Sequence, residues 1–215
     1  MLFQFDYKKA MMTYLENKYP DDTFHFINIG TELWNANYVE MIVSSDKFPA
    51  PEYYIHVRMD EKSHAITEDY IEFYFREQAI AHVKPFVENI YGASHISCGI
   101  AGTSLFPSRL SADMDVSEYL RDVKNAQGCS LDFSIYTTKD LATKEEDIEL
   151  LRQALATREF KVDLGILYVK ELNDHLDKMN GIQGRQWMRE NCSLIGSFHM
   201  NESYQFNFRE WREYN

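Results

Sequence analysis

Apolar and polar side chains alternate along four stretches near the N-terminus, at Phe24–Ile29, Tyr38–Val43, Tyr53–Arg58 and Tyr70–Arg76. Successive side chains of a strand point to opposite faces, so a period of two predicts four half-buried strands. One face carries Ile27, Ile29, Val39, Met41, Val43, Tyr53, Ile55, Val57, Ile71, Phe73 and Phe75, and reads as a core wall. The other carries Tyr38, Glu40, Tyr54, His56, Arg58, Tyr70, Glu72, Tyr74 and Arg76. Aromatic and charged groups mixed in this way suit a recognition surface. The links are short and built of turn formers: Asn35-Ala36-Asn37, Phe48-Pro49-Ala50-Pro51 and Asp60-Glu61-Lys62-Ser63. Short links make neighbouring strands antiparallel, so the four form a meander.

A helical period frames the meander. Tyr7, Ala10, Met11, Tyr14 and Leu15 predict a helix over Asp6–Lys18, ended by Pro20-Asp21-Asp22. Ile80, Val83, Val87 and Ile90 predict another over Gln78–Tyr91, with Pro85 as a kink or a late start and Gly92 as its cap. Beyond Gly92, strands at His95–Ala101, Cys129–Thr137, Val162–Val169, Cys192–Met200 and Tyr204–Phe208 alternate with helices. The helices are Asp115–Lys124, Lys144–Arg158 behind the capping-box sequence Thr143-Lys144-Glu145-Glu146, and Glu171–Asn180. Cys129, Leu131, Phe133 and Ile135 face one way; Ser130, Asp132, Ser134 and Tyr136 face the other. A strand buried on both faces would be continuously apolar, so helices are expected on one face only.

The fold class is therefore α+β: an N-terminal helix, a four-stranded antiparallel meander and a helix, then an alternating β/α half forming a two-layer sandwich. The expected subdomains are residues 1–92 and 93–215, tightly packed or merged into one domain, since no Gly-, Ser- or Pro-rich linker separates them.

Composition narrows the function. The chain of 215 residues is 45% hydrophobic and 26% charged, ordinary for a globular protein. Its net charge of −12 repels phosphate backbones, which argues against nucleic acid and leaves a basic partner open. Cys98, Cys129 and Cys192 form no CxxC pair, so neither a disulfide framework nor a zinc knuckle is expected. The seven histidines make no HExxH or HxH, and no metal or cofactor is expected. Met1-Leu2-Phe3-Gln4-Phe5-Asp6 is not a signal peptide, and no apolar run is long enough to insert in a membrane. The chain as it stands reads as cytoplasmic, with an exported soluble domain lacking its leader or lipid anchor as the alternative.

Candidate chemistry is sparse. The Gly99-Ile100-Ala101-Gly102-Thr103-Ser104 loop is neither a P-loop nor GxSxG, and reads as a strand exit. Gly181-Ile182-Gln183-Gly184-Arg185 reads as a break between helices. Asp132 and Asp163 lie on polar strand faces and would form an acid–base pair if their strands were neighbours. The leading reading is a non-enzymatic accessory protein of bacterial type. It would bind a protein, a peptide or a small polar ligand through Tyr38, Glu40, Tyr54, His56, Arg58, Tyr70, Glu72 and Tyr74. The alternatives are a hydrolase or isomerase using Asp132 with Asp163, or His56 with Glu72, and an acidic decoy or immunity-type protein for a basic partner.

Overall fold

The computed structural model describes residues 6–30, 37–50, 54–101, 115–121, 130–173, 176 and 181–213. They form two compact units, residues 6–75 and, where described, residues 76–213. The architecture is α+β, with helices around a four-stranded and a five-stranded sheet.

In the first unit, α1 (Tyr7–Lys18) precedes β1 (Phe24–Gly30), β2 (Tyr38–Ser45), β3 (Ile55–Asp60) and β4 (Ile66–Glu68), which pair antiparallel in that order. The Asp6 carboxylate caps α1 by accepting from the Lys9 N–H at 3.0 Å. α1 turns Met11 and Leu15 inward, and Met41, Val43, Ile55, Val57 and Met59 form the buried wall of the sheet. A bulge between Phe26 and Asn28 shifts the β1 register, and Ile27, read as core from its parity, is exposed.

The expected strand at Tyr70–Arg76 is a helix. The fourth strand is the short β4, and Tyr70 opens α2 (Tyr70–Tyr91), which runs on through Pro85. Ile71, Phe75, Ala79, Val83 and Val87 are all buried. That spacing of four persists along the helix, whereas the alternation stops after one short run. A short apolar run carries both periods, and the longer one decides.

Glu68 fixes where α2 starts. It is 1% exposed. Its Oε2 accepts from the Ile71 N–H at 3.1 Å, while its Oε1 accepts from Lys18 Nζ and from the Tyr19 hydroxyl, each at 2.7 Å. A buried carboxylate is costly unless such donors surround it. Burial, then the Glu68 charge, pushes the Tyr19 hydroxyl far above the tyrosine range, so it stays a donor.

The second unit contains β5 (Ser94–Ala101), α3 (Val116–Arg121), β6 (Ser130–Thr137), α4 (Lys144–Thr157), β7 (Asp163–Val169), α5 (Gly181–Asn191), β8 (Cys192–Met200) and β9 (Phe206–Glu213). The five strands pair in chain order, β6–β7 in parallel and the others antiparallel. A parallel pair needs a crossover, which α4 supplies. Glu145 pairs with Arg209 of β9, and Arg152 donates to the Tyr204 carbonyl at 3.0 Å. These bonds lay α4 over the face that buries Leu131, Phe133, Ile135, Leu164 and Ile166. The expected capping box is not formed: Thr143 makes no cap bond, and its hydroxyl donates to the buried Asp147 at 2.9 Å.

Helices do not keep to one face. Trp187 and Met188 of α5 pack with Leu167, Val169 and Cys192 on the opposite side of the sheet. Gly181–Arg185, read as a break, is the beginning of α5. The expected helix Glu171–Asn180 falls mostly outside the described residues, and Glu171–Asn173 are not helical. The last strand reaches Glu213 rather than Phe208, because its charged second half hides the alternation.

Two consequences are measurable. Gly196 lies opposite Trp211, and a Cβ there would stand 2.3 Å from Trp211 Cζ3 and 2.6 Å from Phe198 Cε2. Gly196→Ala is expected to cost about 1–3 kcal/mol in urea unfolding, partly recovered by Trp211→Leu. Glu68→Ala removes one acceptor from three donors and is expected to cost about 3 kcal/mol in the same measurement.

Candidate functional site

Two polar regions carry chemistry, one in each unit. The first lies on β2 and β3, where the register sets Glu40 opposite Arg58 and Ile42 opposite His56. Glu40 is 3% exposed, although it belongs to the polar face. Its Oε1 lies 2.9 Å from His56 Nδ1, and its Oε2 accepts from Arg58 Nε at 2.5 Å. The Arg58 guanidinium stacks on the Tyr38 ring at 4.9 Å. Burial pushes the Glu40 carboxyl up, but the bonds from His56 and Arg58 and the Arg58 charge outweigh it and hold it below the ordinary glutamate range.

The other residues assigned to this face are elsewhere. Tyr70, Glu72 and Tyr74 are on α2, because that segment is helical. Tyr70 is fully buried; its hydroxyl donates to Asp22 at 3.0 Å and bonds Ser45 at 3.0 Å. Tyr74 donates to Asp22 and stacks on Tyr19 with centroids 5.4 Å apart. Glu72 sits in the first turn of α2, and the His56 ring bonds Glu40. Tyr54 precedes β3 and is 46% exposed. What reads in sequence as one tyrosine surface is a saturated ion network on the sheet and an aromatic cluster around Tyr70.

The second region lies on the five-stranded sheet. Parallel pairing sets Asp132 directly beside Asp163, and β8 sets His199 on the far side of Asp163. His199 Nδ1 is hydrogen-bonded to Asp163 Oδ1. Phe208 continues the row on β9 and is 51% exposed; Gly99 ends it on β5. The neighbouring row on the same face is Ser97, Ser134, Gly165 and Ser197, a floor of small residues. Further along, the face closes under α5, where Trp187 meets Tyr136 edge-on at 6.5 Å. Asp132, Ser197 and His199 stay open to solvent.

Among the described residues nothing donates a hydrogen bond to the Asp132 carboxyl. Loss of water, then the Asp163 charge, pushes that carboxyl above the ordinary aspartate range. Asp163 has His199 beside it and Asp132 does not, so adjacent carboxyls have different surroundings. Among the described residues no three His, Cys, Asp or Glu side chains are grouped to hold one metal ion. Cys98 and Cys192 are buried, and burial pushes the Cys192 thiol up to about 11. Cys129 lies outside the described residues.

No family model matches the chain, and no curated protein does. A solved structure is similar in fold. It is the crystal structure of a DUF5037 family protein from Ruminococcus gnavus ATCC 29149, with a TM-score of 0.53 and 13% identity, covering 94% of this chain and 95% of that one. At this identity the likeness is of architecture, and no residue role passes between the chains. No helix among the described residues is long and apolar enough to cross a membrane.

Sequence reasoning paired Asp132 with Asp163 conditionally and missed His199. The alternation of β8 does place Ser193, Ser197 and His199 on its polar side. What no local pattern supplies is that β8 is the neighbour of β7.

The first region makes a pH prediction. Asp69 accepts from the His56 N–H at 2.8 Å. Burial pushes its carboxyl from 3.8 up to about 7, opposed by His56 and reinforced by the Glu68 and Glu72 charges. Between those values the folded chain holds a proton that the unfolded chain has released, so this group's contribution to stability falls as pH rises through the window. Asp69→Asn keeps an acceptor and removes the titration. Its stability advantage over the parent in urea unfolding is expected to grow by about 2 kcal/mol between pH 5 and pH 7.5, then level off.

Proposed function

We propose that the protein is a non-enzymatic binding module, and that the open part of the five-stranded sheet receives a basic side chain of a partner protein or peptide. The observation that carries this reading is the register of β6 with β7, which aligns Asp132 with Asp163 on one face. Adjacent strands are about 4.8 Å apart, so one guanidinium or ammonium group spans both carboxyls. The Ser97, Ser134, Gly165 and Ser197 floor lets such a group approach, and exposed Phe208 offers apolar surface to its aliphatic stem. A net charge of −12 steers a basic partner toward the chain. The unlike surroundings of Asp132 and Asp163 also resemble an acid–base pair, but exposed Asp132 and His199 favour a group arriving from outside over an enclosed reaction centre.

The test is isothermal titration with a hexa-arginine peptide. Asp132→Asn/Asp163→Asn is expected to weaken binding by about tenfold or more. Glu61→Gln/Glu77→Gln removes the same charge from exposed positions elsewhere and is expected to weaken it by less than about twofold. Binding by the parent should strengthen as pH rises through the raised Asp132 pKa, because a cation prefers the ionised carboxyl. Equal losses in the two double variants, or no binding by the parent, would remove the reading.

A further inference from the structure

β9 is an edge strand, with β8 as its one sheet neighbour among the described residues. Except for Phe206 and Trp211, its residues are exposed. Alternate backbone N–H and C=O groups of such a strand point away from the sheet and can pair with another strand. Proteins usually guard an edge with charges that repel a second copy. β9 does not do so. Arg209-Glu210-Trp211-Arg212-Glu213 inverts its charge about the tryptophan. An antiparallel copy with Trp211 on the two-fold axis sets Arg209 against Glu213 of the partner subunit, and Glu210 against Arg212 of the partner subunit. Every charge then meets its opposite, as stable cross-strand pairs require.

A further observation points the same way. Glu210 and Arg212 already lie 3.3 Å apart on one side of the strand, so the pairing extends an existing ion pair into a four-charge cluster. We infer that the chain forms a two-fold dimer by antiparallel pairing of β9 with β9 of a second copy, joining two five-stranded sheets edge to edge. The interface is isologous, so it closes on itself and does not propagate into a fibre. A two-fold axis perpendicular to the sheet keeps the same face of both copies on one side. This inference does not depend on the acidic row being a binding site.

Sedimentation velocity on the full chain from about 1 to about 200 µM tests it. The parent is expected to show a concentration-dependent monomer–dimer equilibrium. Glu210→Arg sets arginine against arginine and is expected to weaken association at least about tenfold. Glu210→Arg/Arg212→Glu restores opposite charges in the same register and is expected to return to within about threefold of the parent. Circular dichroism checks that each variant is folded, and Glu213→Arg repeats the test at the Arg209 pair if Glu210→Arg is not. A parent that stays monomeric at the highest concentration overturns the inference. So does a dimer indifferent to Glu210→Arg, or a folded double variant that fails to re-associate.

Discussion

A carboxylate with almost no water around it organises the first unit. Glu68 has to be met by donors, and the three it finds come from two distant parts of the chain. Lys18 ends α1, Tyr19 follows it, and the Ile71 N–H is one of the unpaired donors at the start of α2. Satisfying Glu68 therefore ties the exit of α1 to the end of β4 and to the first turn of α2. Tyr19 and Tyr70 then meet edge-on at 4.8 Å, and Tyr74 closes the cluster over Asp22. The aromatic packing follows from the position of the helix start, which the carboxylate sets.

The second unit rests on a crossover. One parallel pair in an otherwise antiparallel sheet forces α4 across a face, and that face becomes the core. The opposite face is only partly covered, because α5 is short and sits over the end occupied by Tyr136, Leu167 and Ile195. The row of Asp132, Asp163 and His199 lies at the other end, in register and in solvent. A polar row can persist there because Asp132 and His199 reach solvent.

The two polar regions differ in how fully their groups are satisfied, and this separates structure from candidate function. Glu40 is buried and bonded through both oxygens, and its partners hold it ionised. Such a network fixes β2 on β3. Asp132 stands beside a second carboxyl with no donor of its own among the described residues. Unlike charge brought from outside improves the second arrangement and has little to add to the first.

Much of the fold was legible locally. The meander strands β1 to β3, helix α1, the stripe of α4 and strands β5 to β8 follow from periods of two or nearly four. The class, α+β with two-sided strands, followed from the same patterns. Tyr70–Arg76 misled because a short run of alternating aromatic and charged residues fits either period. Only burial along the whole of α2 and the bond from the Ile71 N–H to Glu68 distinguish them. Gly181–Arg185 misled because two glycines weaken a helix without forbidding it. Side-chain parity placed Asp132 and Asp163 on polar faces, since the period of a strand is a property of consecutive residues. That they stand in one row with His199 was decided by strand order and register, which depend on long-range pairing and on the α4 crossover. Those pairings join residues far apart in the chain, and no pattern among neighbouring residues encodes them.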